Sequence, residues 1–372
     1  MLESLSAMPE SLIDIARKLN VAPSTVSRAI SAPDKVAAKT RQKILNYIKE
    51  TGYHPNISAR NLRKQQSKTI GIVVNDLCDS LIAQAANIMQ DIAFKRGYFP
   101  VLLSTDESRT KERESIERLL VLNVCGVVII PSSTTASLLD HFNHIPVVEL
   151  DRSTSTCKND EFRMDDTAAM QMATSYLKEQ GCKHLSVIFG NIDRISSFKS
   201  RHLALLNCSQ ELEYNSYFIK GVNAQDLIDG ARKLTNTIIE SNKNFSVEEP
   251  GSDLNKEVAQ LLLESSDNPA KITGQNPIDG FIAANHSIAA GIVQGFYDQG
   301  LEVNKDLKVF TFDNPDWISI LPYKMPSLTH PLVKAADLAI NRLIDRIEHK
   351  YSDNVEARLL RPQLCVDKSS QA

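Results

Sequence analysis

Residues 12–31, Leu-Ile-Asp-Ile-Ala-Arg-Lys-Leu-Asn-Val-Ala-Pro-Ser-Thr-Val-Ser-Arg-Ala-Ile-Ser, hold two short apolar stripes separated by one turn, and no other stretch restricts the fold as strongly. Leu12, Ile15, Ala16 and Leu19 recur at i, i+3, i+4 and i+7, the period of a helix with one buried face. Asn20 follows where a left-handed residue is needed, and Val21 is expected to plug the corner. Pro23 suits the first turn of a second helix. Val26, Ala29 and Ile30 of that helix point inward, while Ser24, Thr25, Ser27 and Arg28 point outward. A third helix is predicted from about Ala38, with Ile44, Leu45 and Ile48 closing a small core and Gly52 as its C-terminal cap. Three helices in so short a span make a helix-turn-helix unit whose outward donors suit phosphates and base edges.

Charge agrees with that reading. Residues 1–68 hold 12 Lys and Arg against 5 Asp and Glu, a net of +7, so a chain of net charge −3 carries −10 over its remaining residues. A basic head on an acidic body binds a polyanion through one end only, with an affinity that falls steeply with salt.

At 372 residues with 42% hydrophobic content, the chain is long enough for more than one domain. From Lys68 onward strand-like runs alternate with helical stretches. Strands are expected at 69–74, 100–103, 126–130, 146–150, 185–189, 280–283 and 308–312, and helices at about 82–96, ended by Gly97, and 111–122. That is an α/β core, and so many units imply two doubly wound parallel-sheet subdomains with a ligand cleft beyond the carboxyl ends of their strands.

Several function classes lack support. No GxGxxG or GxxxxGK[ST] loop, nucleophile elbow or metal-spaced His pair occurs, so neither a nucleotide cofactor nor an enzyme is expected. The six cysteines, Cys78, Cys125, Cys157, Cys182, Cys208 and Cys365, form no C-x-x-C pair, which argues against zinc or a disulfide framework. The sequence shows neither a membrane-length apolar run nor a secretory pattern, so a cytoplasmic protein with no cofactor and no metal is expected.

Ile13-Asp14-Ile15-Ala16, Pro23-Ser24-Thr25-Val26-Ser27-Arg28, Thr40-Arg41, Gly52-Tyr53-His54-Pro55-Asn56 and Thr69-Ile70-Gly71-Ile72-Val73 together resemble the lactose-repressor (LacI/GalR) family of bacterial transcription regulators. Gly126-Val127-Val128-Ile129, Ile145-Pro146-Val147-Val148, Asp151-Arg152, Ala283-Ala284-Asn285, Ala290-Gly291 and Phe312-Asp313-Asn314 fall where that family has core motifs. The resemblance implies a dimer with a core of periplasmic-binding-protein type joined to the DNA-binding head. Its expected layout is a helix-turn-helix domain at 10–55, a hinge helix and linker at 56–67, and an effector-binding and dimerisation core at 68–372. Within the core, an N-subdomain is expected from about 68–167 and 304–331, and a C-subdomain from about 168–303 and 332–366.

The resemblance also implies roles for single residues. Ser24, Thr25, Ser27 and Arg28 fall at base- or phosphate-contacting positions, Arg28 being the expected reader of guanine. Residues 56–64 read as a short helix capped by Asn56, too short to persist alone. In the family this hinge pairs with its dimer mate in the minor groove. Leu62 matches the wedging leucine, Ala59 leaves room for the mate, and Arg63 reaches phosphate.

For the effector, the resemblance implies Arg201 on the C-terminal subdomain, and it puts His286 where the family has an Asp after Ala-Asn. Histidine offers one donor and one acceptor and takes up charge near neutrality, so a phosphorylated or acidic sugar facing Arg201 and His286 becomes an expectation beside a neutral one. Asp79-Ser80-Leu81-Ile82 replaces an Asn-Pro-Phe-Phe-like segment, which loses aromatic stacking and leaves Asp79 and Leu81 as candidate contacts. Asp165 falls near another effector position, although Asp79 and Asp165 both also read as helix caps. Either 219–240 or 245–263 is an insertion.

The resulting expectation is a homodimeric or tetrameric repressor that binds a pseudo-palindromic operator and answers to a small carbohydrate, sugar acid or sugar phosphate. A purine- or nucleoside-responsive regulator is the alternative. An enzyme on a borrowed α/β core and a transport-type binding protein are rivals from other classes, the latter opposed by the basic head.

Overall fold

The computed structural model describes residues 11–51, 53, 67–134, 136–142, 144–154, 158–208, 212–244, 277–349 and 354–366. The chain divides into two compact units, Met1–Ser67 and Lys68–Ala372.

In the first unit α1 (Leu12–Lys18), α2 (Pro23–Ser31) and α3 (Ala38–Thr51) surround a core of Ile15, Ala16, Leu19, Val26, Ala29 and Ile44. A capping box starts α1: Ser11 Oγ accepts from the Asp14 amide, and the Asp14 carboxylate accepts from the Ser11 amide. Asn20 has φ 53°, the left-handed turn that its side chain tolerates, and Val21 packs against the core. Pro23 opens α2, as its missing N–H allows. Leu45 departs from expectation, since it is exposed and Ile44 alone is buried from that part of α3, with Tyr47, Ile48 and Tyr53 covering the edge. Gly52 lies outside the described residues.

The second unit contains two six-stranded sheets. The first orders as β11-β5-β4-β3-β1-β2 and is parallel throughout, from β1 (Thr69–Val74), β2 (Phe99–Ser104), β3 (Val127–Ile129), β4 (Val147–Leu150), β5 (Asp160–Met164) and β11 (Ala357–Leu360). The second orders as β12-β10-β9-β8-β6-β7, from β6 (His184–Phe189), β7 (Glu213–Phe218), β8 (Gly280–Ala283), β9 (Lys308–Phe312), β10 (Ser327–Thr329) and an antiparallel edge, β12 (Gln363–Cys365). Helices α4 (Ser80–Lys95) and α5 (Arg109–Val121) cover the first sheet. The second is covered by α6 (Asp166–Glu179), α7 (Ser196–Cys208), α8 (Ala224–Asn244) and α9 (His286–Asp298). Most strands are followed by a helix, the pattern that puts ligands beyond the strands' carboxyl ends.

The sheet order corrects the expected subdomain boundaries. Strands β9 and β10, within 304–331, belong to the second sheet. Helix α10 (Leu332–Ile347) instead buries Leu332, Ala335, Ala336, Ala339, Ile340, Leu343 and Ile344 against the first sheet, and β11 pairs with β5. Only β12, from 332–366, returns to the second subdomain. The chain therefore crosses between the two sheets after β5, after β10 and after β11. Residues 219–240 are not a loose insertion. Helix α8 packs so closely on α9 that a Cβ at Gly291 would meet the Ile228 carbonyl and Ala231. The other candidate insertion, 245–263, lies outside the described residues.

Candidate functional site in the cleft and on the head

On the head, Ser24 and Arg28 are exposed and Thr25 and Ser27 half-buried, all on α2 whose opposite side buries Val26 and Ala29. The sequence pattern therefore puts the polar face of α2 opposite the face that packs on the core of the head. Asn56, Ala59, Leu62 and Arg63 lie outside the described residues.

In the second unit a cavity of about 150 Å³ opens between the subdomains. From the first subdomain it is lined by Asn75, Asp76, Asp79, Leu81, Glu107, Asp151 and Arg152, and from the second by Phe198, Arg201, Asn285, His286 and Asp313, with His330 beside a crossover. Most are strand-end residues. Asp151 follows β4 with φ 63° and Asp313 follows β9 with φ 78°, so both strands end in a left-handed step that turns a carboxylate into the cleft.

Four of the five effector residues expected from sequence meet here: Asp79, Leu81, Arg201 and His286. Asp165 does not line the cavity. It caps α6, accepting from the Ala168 amide at 2.9 Å, which is the structural role open to any Asp before a helix. Its neighbour Asp166 matters more, because it accepts from Arg201 Nε at 3.0 Å.

Arg201 is also held by the Ala284 carbonyl and lies over the Phe312 ring, 4.9 Å from its centroid. Its charge is matched before any ligand arrives. Arg152 is matched likewise: its Nη1 and Nη2 donate to the two Glu107 oxygens at 2.8 and 2.7 Å. Burial opposes the Glu107 charge, yet Arg152 holds that carboxyl below its usual range. His330 Nε2 lies 3.0 Å from Asp151 Oδ1. Burial works against charge on His330, but Asp151 and Asp313 raise its pKa, and in turn His330 and the arginines keep Asp151 low against its own burial. Asn75 Oδ1 and His330 Nδ1 are buried with no hydrogen-bond partner.

His286 stands between two acids. Its Nδ1 is 3.3 Å from Asp313 Oδ2, and its Nε2 is 3.6 Å from Asp79 Oδ2. Asp79 also caps α4 through the Leu81 and Ile82 amides. Arg201 and His286, the residues expected to face an anion, each already face a carboxylate of the protein. Sequence reasoning passed over Asp313, Asp151 and Arg152 as site residues, though all three stand in motifs quoted for the family resemblance, and it gave no hint of Asn75, Glu107, Phe198 or His330. Among the described residues there is no grouping suited to a metal ion and no helix long and apolar enough to cross a membrane.

The chain matches known families along nearly its whole length. Residues 11–56 match the bacterial regulatory proteins of the lacI family, residues 67–202 the periplasmic binding proteins and sugar binding domain of the LacI family, and residues 174–370 a periplasmic binding protein-like domain. The chain is 26% identical to the ribose operon repressor of Halalkalibacterium halodurans over 91% of both chains. It is 24% identical to catabolite control protein A of Staphylococcus aureus over 87% of this chain and 88% of that protein. A lac repressor structure bound to ONPG in the repressed state superposes with a TM-score of 0.73 at 18% identity, covering 96% of this chain and 99% of that one. The Cra regulator from Pseudomonas putida in complex with fructose 1-phosphate gives 0.63 at 15% identity, covering 81% and 98%. The head, the two-sheet core and the motifs that join them make this chain a member of the LacI family of bacterial regulatory proteins, a DNA-binding regulator of transcription.

Proposed function

We propose that the chain acts as a homodimeric repressor in the cytoplasm, that α2 reads an operator half-site through Ser24, Thr25, Ser27 and Arg28, and that an uncharged polyhydroxylated ligand, a sugar, binds in the cleft as effector. In this reading Asn56, Ala59, Leu62 and Arg63 form the hinge that meets its mate on DNA, the cleft performs no chemistry, and the expected domain limits at 55 and 67 mark the head and the hinge. Effector binding shifts the population between two arrangements of the subdomains, and operator affinity changes by the same coupling in reverse.

One observation carries the effector class. Asp76, Asp79, Glu107, Asp151 and Asp313 line the cavity against Arg152, Arg201, His286 and His330, so the lining stays one unit negative even with both imidazoles charged. With the arginines paired to Glu107 and Asp166, a phosphate or carboxylate ligand would meet excess negative charge in a desolvated site. Hydroxyls suit the same lining, since each donates to a carboxylate and accepts from a donor. The unpartnered atoms of Asn75 and His330 are further groups that a hydroxyl can satisfy as the walls adjust.

The names of the relatives, with a ribose operon among them, favour a carbohydrate over a purine or nucleoside. A fructose 1-phosphate complex among the neighbours makes the sugar phosphate the comparison to run. Thermal shift of the full chain with neutral pentoses and hexoses, and with their phosphates and aldonic acids, tests the reading. A ligand at 100 times its dissociation constant adds about 2.7 kcal/mol, which the neutral set is expected to deliver. Stabilisation by the phosphorylated set alone would overturn the assignment of ligand class.

A further inference from the structure

We propose that His286 is a proton-operated latch across the cleft, its imidazole tying the Asp79 wall to the Asp313 wall when charged and releasing Asp79 when neutral. This concerns regulation of the cleft read above as the effector site, and it rests on that reading's premise that the two walls move.

The geometry suits a charged ring between two ionised carboxylates. Asp79 Oδ1 is taken by the Leu81 amide at 2.8 Å and the Ile82 amide at 3.4 Å, which leaves Oδ2 toward His286 Nε2. Asp313 Oδ2 takes both the ring Nδ1 and the backbone amide of His286, each at 3.3 Å. Ionised carboxylates only accept, and a neutral imidazole has a single N–H. Two acids on the two ring nitrogens are both served only by imidazolium. Once the ring is neutral, its one proton stays with Asp313, which shares its subdomain and is tied to the same residue through the backbone amide. The Asp79 contact crosses the cleft and is the one lost.

Other contacts across the cleft lack this property. Arg194 Nη2 donates to the Glu107 carbonyl at 2.9 Å, and Thr134 Oγ1 donates to the Asp193 carbonyl at 3.3 Å, both to acceptors that do not titrate. His330 with Asp151 does titrate, but it lies beside the crossover after β10, where the chain itself joins the two subdomains. Asp313 after β9, Asp79 at the head of α4 and Asp76 after β1 act on His286, and Asp151, His330, Glu107, Arg152 and Arg201 are the other charged groups lining the same cavity. Acids dominate, and Arg201 is already paired with Asp166. Burial lowers the His286 pKa, but Asp313 and Asp79 outweigh it and raise it overall, while burial raises that of Asp79. The latch therefore holds in a window, opening on the acid side as Asp79 protonates and on the alkaline side as His286 loses its proton.

Small-angle scattering of the full chain between pH 5 and 9, without ligand, reads the closure directly, with circular dichroism confirming the fold at each pH. The wild type is expected to have its smallest radius of gyration within the window and to expand as pH rises, the closed-to-open ratio falling about tenfold for each unit by which closure lifts the His286 titration. His286→Asn and Asp79→Asn should each give the expanded radius with no such transition, whereas His286→Lys should keep the compact radius to the top of the range. A wild type that does not change, or a His286→Asn variant that follows the wild-type curve, overturns the latch. Neither result touches the sugar reading, and a cleft that binds no sugar leaves the scattering curve as it is.

Discussion

Arg201 Nε donates to Asp166 Oδ1 at 3.0 Å, with both side chains almost wholly out of solvent, so the guanidinium from α7 is spoken for by the first residue of α6. The pair fixes the wall of the cleft beneath Phe312 and the Ala284 carbonyl. Removing one partner of a buried pair leaves the other charge stranded, at a cost of about 3–5 kcal/mol. Arg201→Ala should therefore lower unfolding stability by about that amount in urea titration, and Arg201→Ala with Asp166→Ala should recover part of it. A double-variant loss equal to the sum of the two single losses would mean that the two side chains are not coupled.

Gly190, at the end of β6, leaves room for the Phe198 ring, which lines the cavity. A Cβ built at Gly190 would lie 2.2 Å from Phe198 Cε2. Overpacking of this kind costs about 1–3 kcal/mol and displaces a ring that borders the cleft. Gly190→Ala should lower the melting temperature modestly and weaken effector binding by far more than it weakens operator binding. An unchanged ligand affinity would show that Phe198 does not border the ligand.

Arg28 is exposed on the polar face of α2, away from the Val26 and Ala29 packing. As the proposed guanine reader, its replacement by Ala should cost about 1–3 kcal/mol of operator affinity and relax preference at one base pair in a binding-site selection. An equal loss on every sequence, with a shallower salt dependence, would reassign it to phosphate.

The two cleft histidines give stability a pH dependence whose sign is fixed. Burial opposes their charge, but Asp151 and Asp313 beside His330, and Asp313 and Asp79 beside His286, raise both pKa values above the ordinary 6.5. A group raised in the folded state stabilises fully below its unfolded pKa and loses that contribution as pH climbs through the folded one. Melting temperature should therefore decline from about pH 6.5 upward through the raised titrations of both rings, and His330→Gln should flatten part of that decline. A melting temperature that rises across the same interval would reverse the assigned charges.

The head was legible in the sequence because its information is local. A stripe at helical spacing, Asn20 at a left-handed step and Pro23 at a helix start each act within one turn of chain, and each stands where the spacing put it. Strands with unbroken apolar runs, such as Val127–Ile129 and Gly280–Ala283, were equally plain. Strand β5 was not, because Asp-Glu-Phe-Arg-Met reads as surface until Arg342, Arg346 and the Glu356 amide close on Asp160. The crossovers misled for a related reason. No local pattern says which sheet the apolar face of α10 will cover, so 304–331 and most of 332–366 are expected in the opposite subdomains from those they occupy. The cleft mixes both cases. Arg201 and His286 were found through a family position, but the acids that cancel their charge come from β9, α6 and the head of α4, far apart in sequence.

The basic head is expected to bind duplex DNA, and an uncharged sugar in the cleft to change that binding. Fluorescence anisotropy of the full chain on promoter duplexes selected from its own genome tests both halves at once, at rising salt and with the neutral, phosphorylated and acidic sugar sets. Saturable binding that weakens steeply with salt and shifts about 5- to 150-fold with a neutral sugar is expected. Failure to retain any genomic fragment at low ionic strength, or an operator affinity moved only by the phosphorylated or acidic sugars, would contradict it.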